Sequence, residues 1–317
     1  MPTPMSPDRP ASSTISPAEA IEALGRGTHR LEHLRALSDL GRNHARLLAE
    51  AWPDISADTK AAVLRQLEQI AEDNVEYSFG RVFRAALNDP SPVVRQLAIS
   101  GLWEDESGDL IDIFVDLMES DESIDVRAEA ASALARYADK VVNVELDEQS
   151  AERVRESLLD AADSGFQPEL VRRRALESIA VCGGAHVDDL IARAFDSDDT
   201  ATRASALYAM GRSLDRKWLG TVLTEFESDD AEMRFEAARA SGELGHVDAV
   251  SGLSQLLGDP DVEVRQAAIA ALGKIGGSGA IRVLQGYIQA CPPSDRELVD
   301  DAIAEARLFE TDIRAHA

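Results

Sequence analysis

The 317-residue chain is poor in cysteine and has no long apolar run, and each shortage excludes a class of protein. Cys182 and Cys291 are far apart and form no CxxC pair, which argues against a disulfide framework and fits a reducing compartment. No apolar run approaches the roughly 18 residues of a membrane span. No basic-then-apolar signal opens the chain. We therefore expect a cytoplasmic protein with no membrane partner.

Basic residues are also scarce. The chain has 32 Lys and Arg against 58 Asp and Glu, a formal net charge of −26. Nucleic acids and anionic membranes bind through a cationic surface that releases counterions, so we expect neither as a partner. Aromatic residues make up only 5% of a chain that is 44% apolar. Small apolar residues, Ala above all, must carry the packing, which favours close-packed helices over a β-sandwich.

Residues 259–277, DPDVEVRQAAIAALGKIGG, show the unit from which much of the chain is built. Pro260 marks a turn, because proline cannot continue a preceding helix. Gly276 and Gly277 mark a helix end, where a left-handed cap residue is favoured. Between them one face of a 3.6-residue period is apolar. That face consists of Val264, Ala268, Ala271, Leu272 and Ile275.

The unit recurs, and an arginine after the turn aligns its copies at steps of 32, 45, 31, 31, 31 and 31 residues. Other columns keep the same register in the last five units, and only Ser241 breaks them with a polar residue. Short helical hairpins cannot bury their apolar faces alone, so repetition predicts an all-α solenoid of stacked hairpins. The arginine column is Arg95, Arg127, Arg172, Arg203, Arg234, Arg265 and Arg296.

The repeat sets the predicted organisation of the chain. Proline-rich residues 1–17 are predicted to be a disordered tail. Residues 18–73 form a helical cap or a divergent repeat, residues 74–309 the solenoid, and residues 310–317 a C-terminal tail. The step of 45 places an insertion at residues 139–150, predicted as a loop after a helix that ends near Tyr137.

The unit DPDVEVRQAAIAALGKIG resembles the HEAT-like repeat, in the short bacterial form first noted in phycobilisome lyases. The resemblance implies a right-handed superhelix whose second helices line a concave face. It also implies a ladder of hydrogen bonds between the turn Asp and the following Arg. Ser197 and Ser228 stand where that Asp would be. The arginine column is thus interpreted as structural, with a row of anion-binding sites as the alternative.

No motif of the chain predicts catalysis with any specificity. His29-Arg-Leu-Glu-His33 matches H-x-x-E-H, and on a helix His29 and His33 would lie one turn apart as metal ligands. No catalytic core surrounds them, so we expect no metal and no other cofactor. Neither cysteine has an activating basic neighbour. Deoxyhypusine hydroxylases also stack HEAT-like repeats and bind iron through His-Glu dipeptides, and this chain contains none.

The predicted functional surface is the concave one. Tyr and Arg are typical interface anchors, and an aromatic and arginine patch lies there within an acidic molecule. We predict a non-catalytic, monomeric scaffold that binds an acidic and apolar partner peptide or protein. The alternative is a lyase-like enzyme or accessory factor that holds a small molecule such as a bilin. The patch itself could instead complete inter-repeat packing. Its residues are Arg173, Arg174, Tyr208, Arg212, Phe235 and Arg239.

Overall fold

The computed structural model describes residues 15–315, with side chains described for residues 15–308. Within these residues every regular element is helical. The chain divides into two compact units, residues 1–133 and residues 134–317. The prediction of an all-α solenoid is confirmed, because successive helical hairpins stack within each unit.

Helices of the first unit pack in two rows, so that alternate helices are neighbours, as α4, α6 and α8 are. Its helices are α1 (Pro17–Gly25), α2 (Leu31–Arg35), α3 (Arg42–Ala51), α4 (Ala57–Asp73), α5 (Gly80–Ala86), α6 (Pro92–Ser100), α7 (Asp109–Ser120) and α8 (Ile124–Ala133).

In the second unit, the second helix of each hairpin packs on the second helix of the next, along α11, α13, α15, α17 and α19. The helices of this unit are α9 (Ala135–Val142), α10 (Glu148–Asp163), α11 (Glu169–Ile179), α12 (Ala185–Phe195), α13 (Thr200–Arg212), α14 (Leu219–Thr224), α15 (Ala231–Leu244), α16 (Ala249–Leu256), α17 (Val262–Ile275), α18 (Gly277–Tyr287) and α19 (Arg296–Ala315).

Helix α17 shows how sequence sets each unit. Asp261 caps its N-terminus by accepting hydrogen bonds from the backbone N–H groups of Glu263 and Val264, at 2.8 and 3.4 Å. Gly276 ends it with a φ of 64°, which a residue with a side chain rarely adopts. Of the predicted apolar face only Ile275 stays half-buried, and the other members are buried.

A glycine column, absent from the sequence-based prediction, lets the second helices approach closely. Gly211, Gly242 and Gly273 each stand eight residues after a column arginine. A Cβ atom on Gly211 would lie 2.7 Å from Ala240 Cα, and one on Gly242 would lie 2.9 Å from Ala271 Cα. Backbone therefore packs on backbone at these crossings.

Ser241, the polar exception in the repeat, is fully buried beside this glycine column. Its hydroxyl donates to the Ala238 carbonyl at 2.8 Å. Its hydrogen-bonding needs are thus met within its own helix.

Three predicted boundaries differ from the structure. Helix α9 continues to Val142, so the loop of the insertion spans only residues 143–147, because Tyr137, Ala138 and Val141 are buried and hold the chain in a helix. Of the predicted tail at 1–17, residues 1–14 lie outside the described residues, while Ser16 caps α1 and Pro17 begins it. Of the predicted tail at 310–317, residues 310–315 belong to α19, which no glycine or proline interrupts. Residues 316–317 lie outside the described residues.

Candidate functional site

Several column arginines join their hairpin to the turn of the next through charge-assisted hydrogen bonds. Arg95 donates from Nε and Nη2 to the two carboxylate oxygens of Asp121, at 2.8 and 2.7 Å. Its Nη1 donates to the Asp89 carbonyl at 2.7 Å. Arg234 makes the same two-pronged contact with Asp259, at 2.7 and 3.0 Å. The carboxylate of each rung thus belongs to the following repeat, and only the carbonyl to the arginine's own turn.

The ladder has members that the sequence did not reveal. Lys60 Nζ donates to the Asp89 carboxylate at 2.8 Å, and Trp52 Nε1 donates to the same oxygen at 2.9 Å. Lys60 therefore takes the arginine's place within the predicted cap. At the other end, Arg265 Nε donates to Asp295 at 3.2 Å. Neither Lys60 nor Asp295 keeps the sequence spacing that revealed the column.

The ladder also sets the protonation of its aspartates. Burial alone would raise the pKa of Asp121, but the hydrogen bonds from Arg95 and from the Ser123 backbone N–H hold that pKa below its usual value. The Arg234 guanidinium is the main cause that lowers the pKa of Asp259. These carboxylates are therefore held in the charged form that the arginines need.

Other column members have different contacts. Arg127 Nε donates to the Met118 carbonyl at 3.0 Å. Arg203 Nη2 donates to Glu225 at 3.2 Å. Arg296 is exposed. The ladder that the family resemblance implies is thus present in part of the chain and altered near its middle.

Arg172 lies at the weakest rung. Among the described residues, its only ion pair is a 4.0 Å contact with Glu169, and its buried Nε has no hydrogen-bond partner. The residue in the position of the partner carboxylate is Ser197. A cavity of about 200 Å³ adjoins both residues.

Five of the six patch residues lie on the adjacent helices α11, α13 and α15 and face one cleft or its rim. Arg239 lies over two rings, with its guanidinium carbon 4.9 Å from the Tyr208 centroid and 5.5 Å from the Phe235 centroid. Such contacts stabilise by about 0.5–1 kcal/mol at exposed sites. Tyr208 and Arg239 also line a cleft of about 370 Å³ with Arg173 and Arg174. We call Arg173, Arg174, Tyr208, Phe235 and Arg239 the docking surface.

Glutamates form the floor of this cleft. Glu236 accepts from Arg239 Nη1 at 3.0 Å, and Glu177 accepts from Arg174 Nη1 at 2.7 Å. The glutamate side chains are 14% exposed, whereas the arginines are 44% and 43% exposed. The arginines thus pair with local glutamates, as the packing interpretation expected, and still present a cationic surface to solvent.

Arg212 has a different environment. Its Nη2 donates to Asp139 on α9 at 2.7 Å, across 73 residues of sequence. The structure therefore ties Arg212 to the insertion rather than to the cleft, because its position at the C-terminal end of α13 brings it within reach of α9. Arg212 also lies near Cys182, together with Arg155. Burial nevertheless raises the pKa of that thiol, and the two arginines oppose the effect.

Burial raises the pKa of Glu236, and the Arg239 guanidinium offsets this only in part. Such a carboxyl group favours folding below its ordinary pKa of 4.5, and that contribution is lost as the pH rises through the raised value. We therefore expect Glu236→Gln to be more stable than the wild type at pH 7, with an advantage that shrinks below pH 4.5. Urea unfolding at the two pH values measures this difference.

Glu243→Gln is the matched control, because Glu243 is an exposed residue of the same helix and pairs with Lys274 at 2.5 Å. Its substitution should change the stability at neutral pH by less than about 0.5 kcal/mol. A Glu236→Gln protein that is less stable than the wild type at pH 7 would show that the ion pair outweighs the cost of burial.

The predicted histidine pair does not share a helix. Arg30 is extended, with φ −130° and ψ 171°, so α2 begins only at Leu31 and His29 lies outside it. His33 Nδ1 accepts a hydrogen bond from the Arg30 backbone N–H at 3.0 Å. Within residues 15–308 no group of three His, Cys, Asp or Glu side chains is placed to hold a metal ion. The geometry expected of a zinc-protease helix is therefore wrong for these residues.

Stacked helical hairpins joined by an arginine ladder define a helical repeat protein. A sequence model of HEAT repeats matches residues 81–180 and 217–304, more than half of the chain, and the protein belongs to that family. In the part of the chain that the structure describes, no helix is both long and apolar enough to span a membrane.

Curated relatives are deoxyhypusine hydroxylases. The Bos taurus protein is 30% identical over 176 residues, which are 51% of this chain and 57% of the relative. The Drosophila melanogaster protein is 32% identical over 112 residues, 34% of this chain and 37% of the relative. The chain thus matches about half or less of the length of these relatives.

Solved structures show the same fold. The complex of CpcE and CpcF of phycocyanin lyase from Nostoc matches with a TM-score of 0.55 at 15% identity, over 94% of this chain and all of that one. Yeast importin-beta, Kap95p, matches with a TM-score of 0.51 at 13% identity, over 92% of this chain and 46% of that one. At such identities the likeness shows the fold alone.

Proposed function

We propose that this protein is a non-catalytic scaffold that binds a partner protein or peptide on its docking surface. The observation that carries the proposal is the cluster in which Arg239 lies over Tyr208 and Phe235. It combines a half-exposed cation with two aromatic rings, and such residues dominate the binding energy of protein interfaces. The cluster stands on packed helices, so the binding geometry is formed before a partner arrives.

The partner is expected to carry both acidic and apolar side chains. Arg173 makes no ion pair with another side chain in the described part of the protein, and Arg174 and Arg239 keep much of their surface in solvent. Tyr208 and Phe235 offer apolar surface next to these cations. A carboxylate beside an apolar side chain would meet both. The net charge of −26 opposes a purely acidic partner, so apolar contact must supply part of the affinity.

Two other functions are not proposed. A bilin-handling role analogous to that of the lyase rests on the fold alone. Hydroxylase activity would require iron, and the His-Glu dipeptides that the resemblance implies as its ligands are absent from the sequence.

Selection from a random peptide library displayed on phage tests the proposal. The intact protein is the bait, and the Tyr208→Ala/Arg239→Ala variant serves for counter-selection. We expect the peptides that survive to combine Asp or Glu with Leu, Phe or Trp. Enrichment of basic peptides, which the acidic surface would attract without specificity, or equal recovery on both baits would contradict the proposal.

A further inference from the structure

The turn at Ser197, which follows Arg172, has the same backbone contact as the turn at Asp259 but has no carboxylate at that position. Asp259, the partner of Arg234 twenty-five residues earlier, accepts a hydrogen bond from the Asp261 backbone N–H at 2.9 Å. Ser197 stands twenty-five residues after Arg172. Its hydroxyl accepts from the Asp199 backbone N–H at 3.2 Å, the same turn contact. Serine thus replaces the turn function of the aspartate and leaves the arginine without its acceptor.

A cavity of about 200 Å³ lies at this rung, between α11 and the hairpin of α12 and α13. Arg172 and Arg173 both line it, and the Nε atom of each is buried with no hydrogen-bond partner among the described residues. A buried donor without an acceptor is costly. An acceptor that enters this cavity would remove that cost.

The two carboxylates in the cavity wall are already engaged. Asp163 accepts from Arg193 Nη2 at 2.7 Å and lies 3.0 Å from His186 Nε2. Glu169 Oε1 accepts from the Thr202 hydroxyl at 2.7 Å and is 4.0 Å from Arg172. Neither makes the two-pronged contact that Arg95 and Arg234 make elsewhere.

At the neighbouring rung, an arginine that also lacks the aspartate has another partner within the chain. There Ser228 also stands in the aspartate position. Its arginine, Arg203, reaches Glu225 at 3.2 Å and lies 5.4 Å from the centre of the Phe195 ring. Loss of the aspartate is thus compensated within the chain at Arg203 but not at Arg172.

We propose that the cavity at Arg172 binds a carboxylate supplied from outside the chain. The ligand takes the place of the missing aspartate and accepts from Arg172 Nε and Nη2, as Asp121 accepts from Arg95. Arg173 provides a second cation. The cavity adjoins the docking surface through Arg173, but the assignment rests on the ladder and holds for a free carboxylate as well as for an acidic side chain.

Titration of the intact, ¹⁵N-labelled protein with acetate tests this assignment, with the Nε–H resonances of arginine as the readout. We expect the Arg172 resonance to shift and saturate, while that of Arg234, whose rung is occupied, stays in place. In Ser197→Asp the new carboxylate should fill the cavity. The response of Arg172 to acetate should then weaken by at least about tenfold, because an internal partner competes for the same donors.

Ser228→Asp provides the matched control, because Arg203 already has a partner, and it should leave the acetate response of Arg172 unchanged. Absence of an Arg172 response in the wild type would overturn the proposal, as would an undiminished response in Ser197→Asp. A stronger response to inorganic phosphate than to acetate would overturn the assignment to a carboxylate. None of these outcomes depends on Tyr208 or Arg239, so failure here is distinct from failure of the docking surface.

Discussion

Arg95→Ala is expected to lower the free energy of unfolding by about 3–5 kcal/mol, the usual cost of breaking a buried ion pair by removing one partner. Arg95 is only 7% exposed and makes a two-pronged contact with Asp121. Its loss leaves the Asp121 side chain, which is 6% exposed, without its cation. It also removes the donor to the Asp89 carbonyl. Urea unfolding followed by the fluorescence of Trp52, which is buried in the same unit, measures the change.

Arg296→Ala is the control for this experiment. Arg296 belongs to the same sequence column but is exposed, so its loss should cost less than about 0.5 kcal/mol. Equal stabilities of Arg95→Ala and Arg296→Ala would refute a structural ladder.

The contact between Arg95 and Asp121 also predicts a pH dependence of stability. Because the pKa of Asp121 is lowered in the folded protein, its contribution to stability is present above its ordinary pKa of 3.8. That contribution is lost as the pH falls through the lowered pKa.

Gly211→Val should destabilise the second unit by about 3 kcal/mol or more, at the upper end of the cost of overpacking. The added Cβ would lie 2.7 Å from Ala240 Cα and 3.1 Å from Ala240 Cβ. The obstacle is the backbone of α15, which cannot rotate away as a long side chain could. Relief requires that α13 and α15 move apart and lose apolar contact along their length. Thermal unfolding of the intact protein measures the loss.

The same substitution at Gly286 separates this clash from the general effect of valine in a helix. Gly286 lies in α18, and a Cβ atom there would meet nothing within 4 Å. Since valine forms helices at least as well as glycine, Gly286→Val should be neutral or slightly stabilising. Equal effects at Gly211 and Gly286 would mean that close helix approach does not limit this packing.

The repeat and its register could be predicted from the sequence. Turn prolines, apolar columns and an arginine at a step of 31 residues are local signals, and the helices begin and end near them. Gly211, Gly242 and Gly273 carried a signal too, since they recur at the same step. Their role depends on the distance between helices, which no single unit encodes.

Contacts between residues whose sequence separation does not follow the 31-residue repeat could not be predicted in this way. Lys60 completes a rung from a different residue type, with a partner 29 residues away. Arg212 fits the helical position of a cleft residue, yet its guanidinium reaches Asp139 across 73 residues. Such pairs depend on how hairpins of unequal length stack, which no single unit encodes.

The proposed docking surface lies where the repeat is irregular. The regular unit of α17 has Gln266, Ala270 and Lys274 at the positions that face the cleft in its neighbours. In α13 and α15 these positions include Tyr208, Phe235 and Arg239. Such residues cost side-chain entropy at the surface and contribute little to the core. Their clustering is the reason to expect a partner there.

The affinity of the intact protein for a selected acidic and apolar peptide, measured by fluorescence polarisation, tests the docking surface most directly. We predict that Tyr208→Ala/Arg239→Ala weakens binding by about thirtyfold or more, which corresponds to about 2 kcal/mol for loss of an interface hot spot. Lys274→Ala, which removes an exposed cation from the neighbouring helix α17, should leave the affinity nearly unchanged. Equal affinity of the double variant and the wild type would contradict the proposed docking surface.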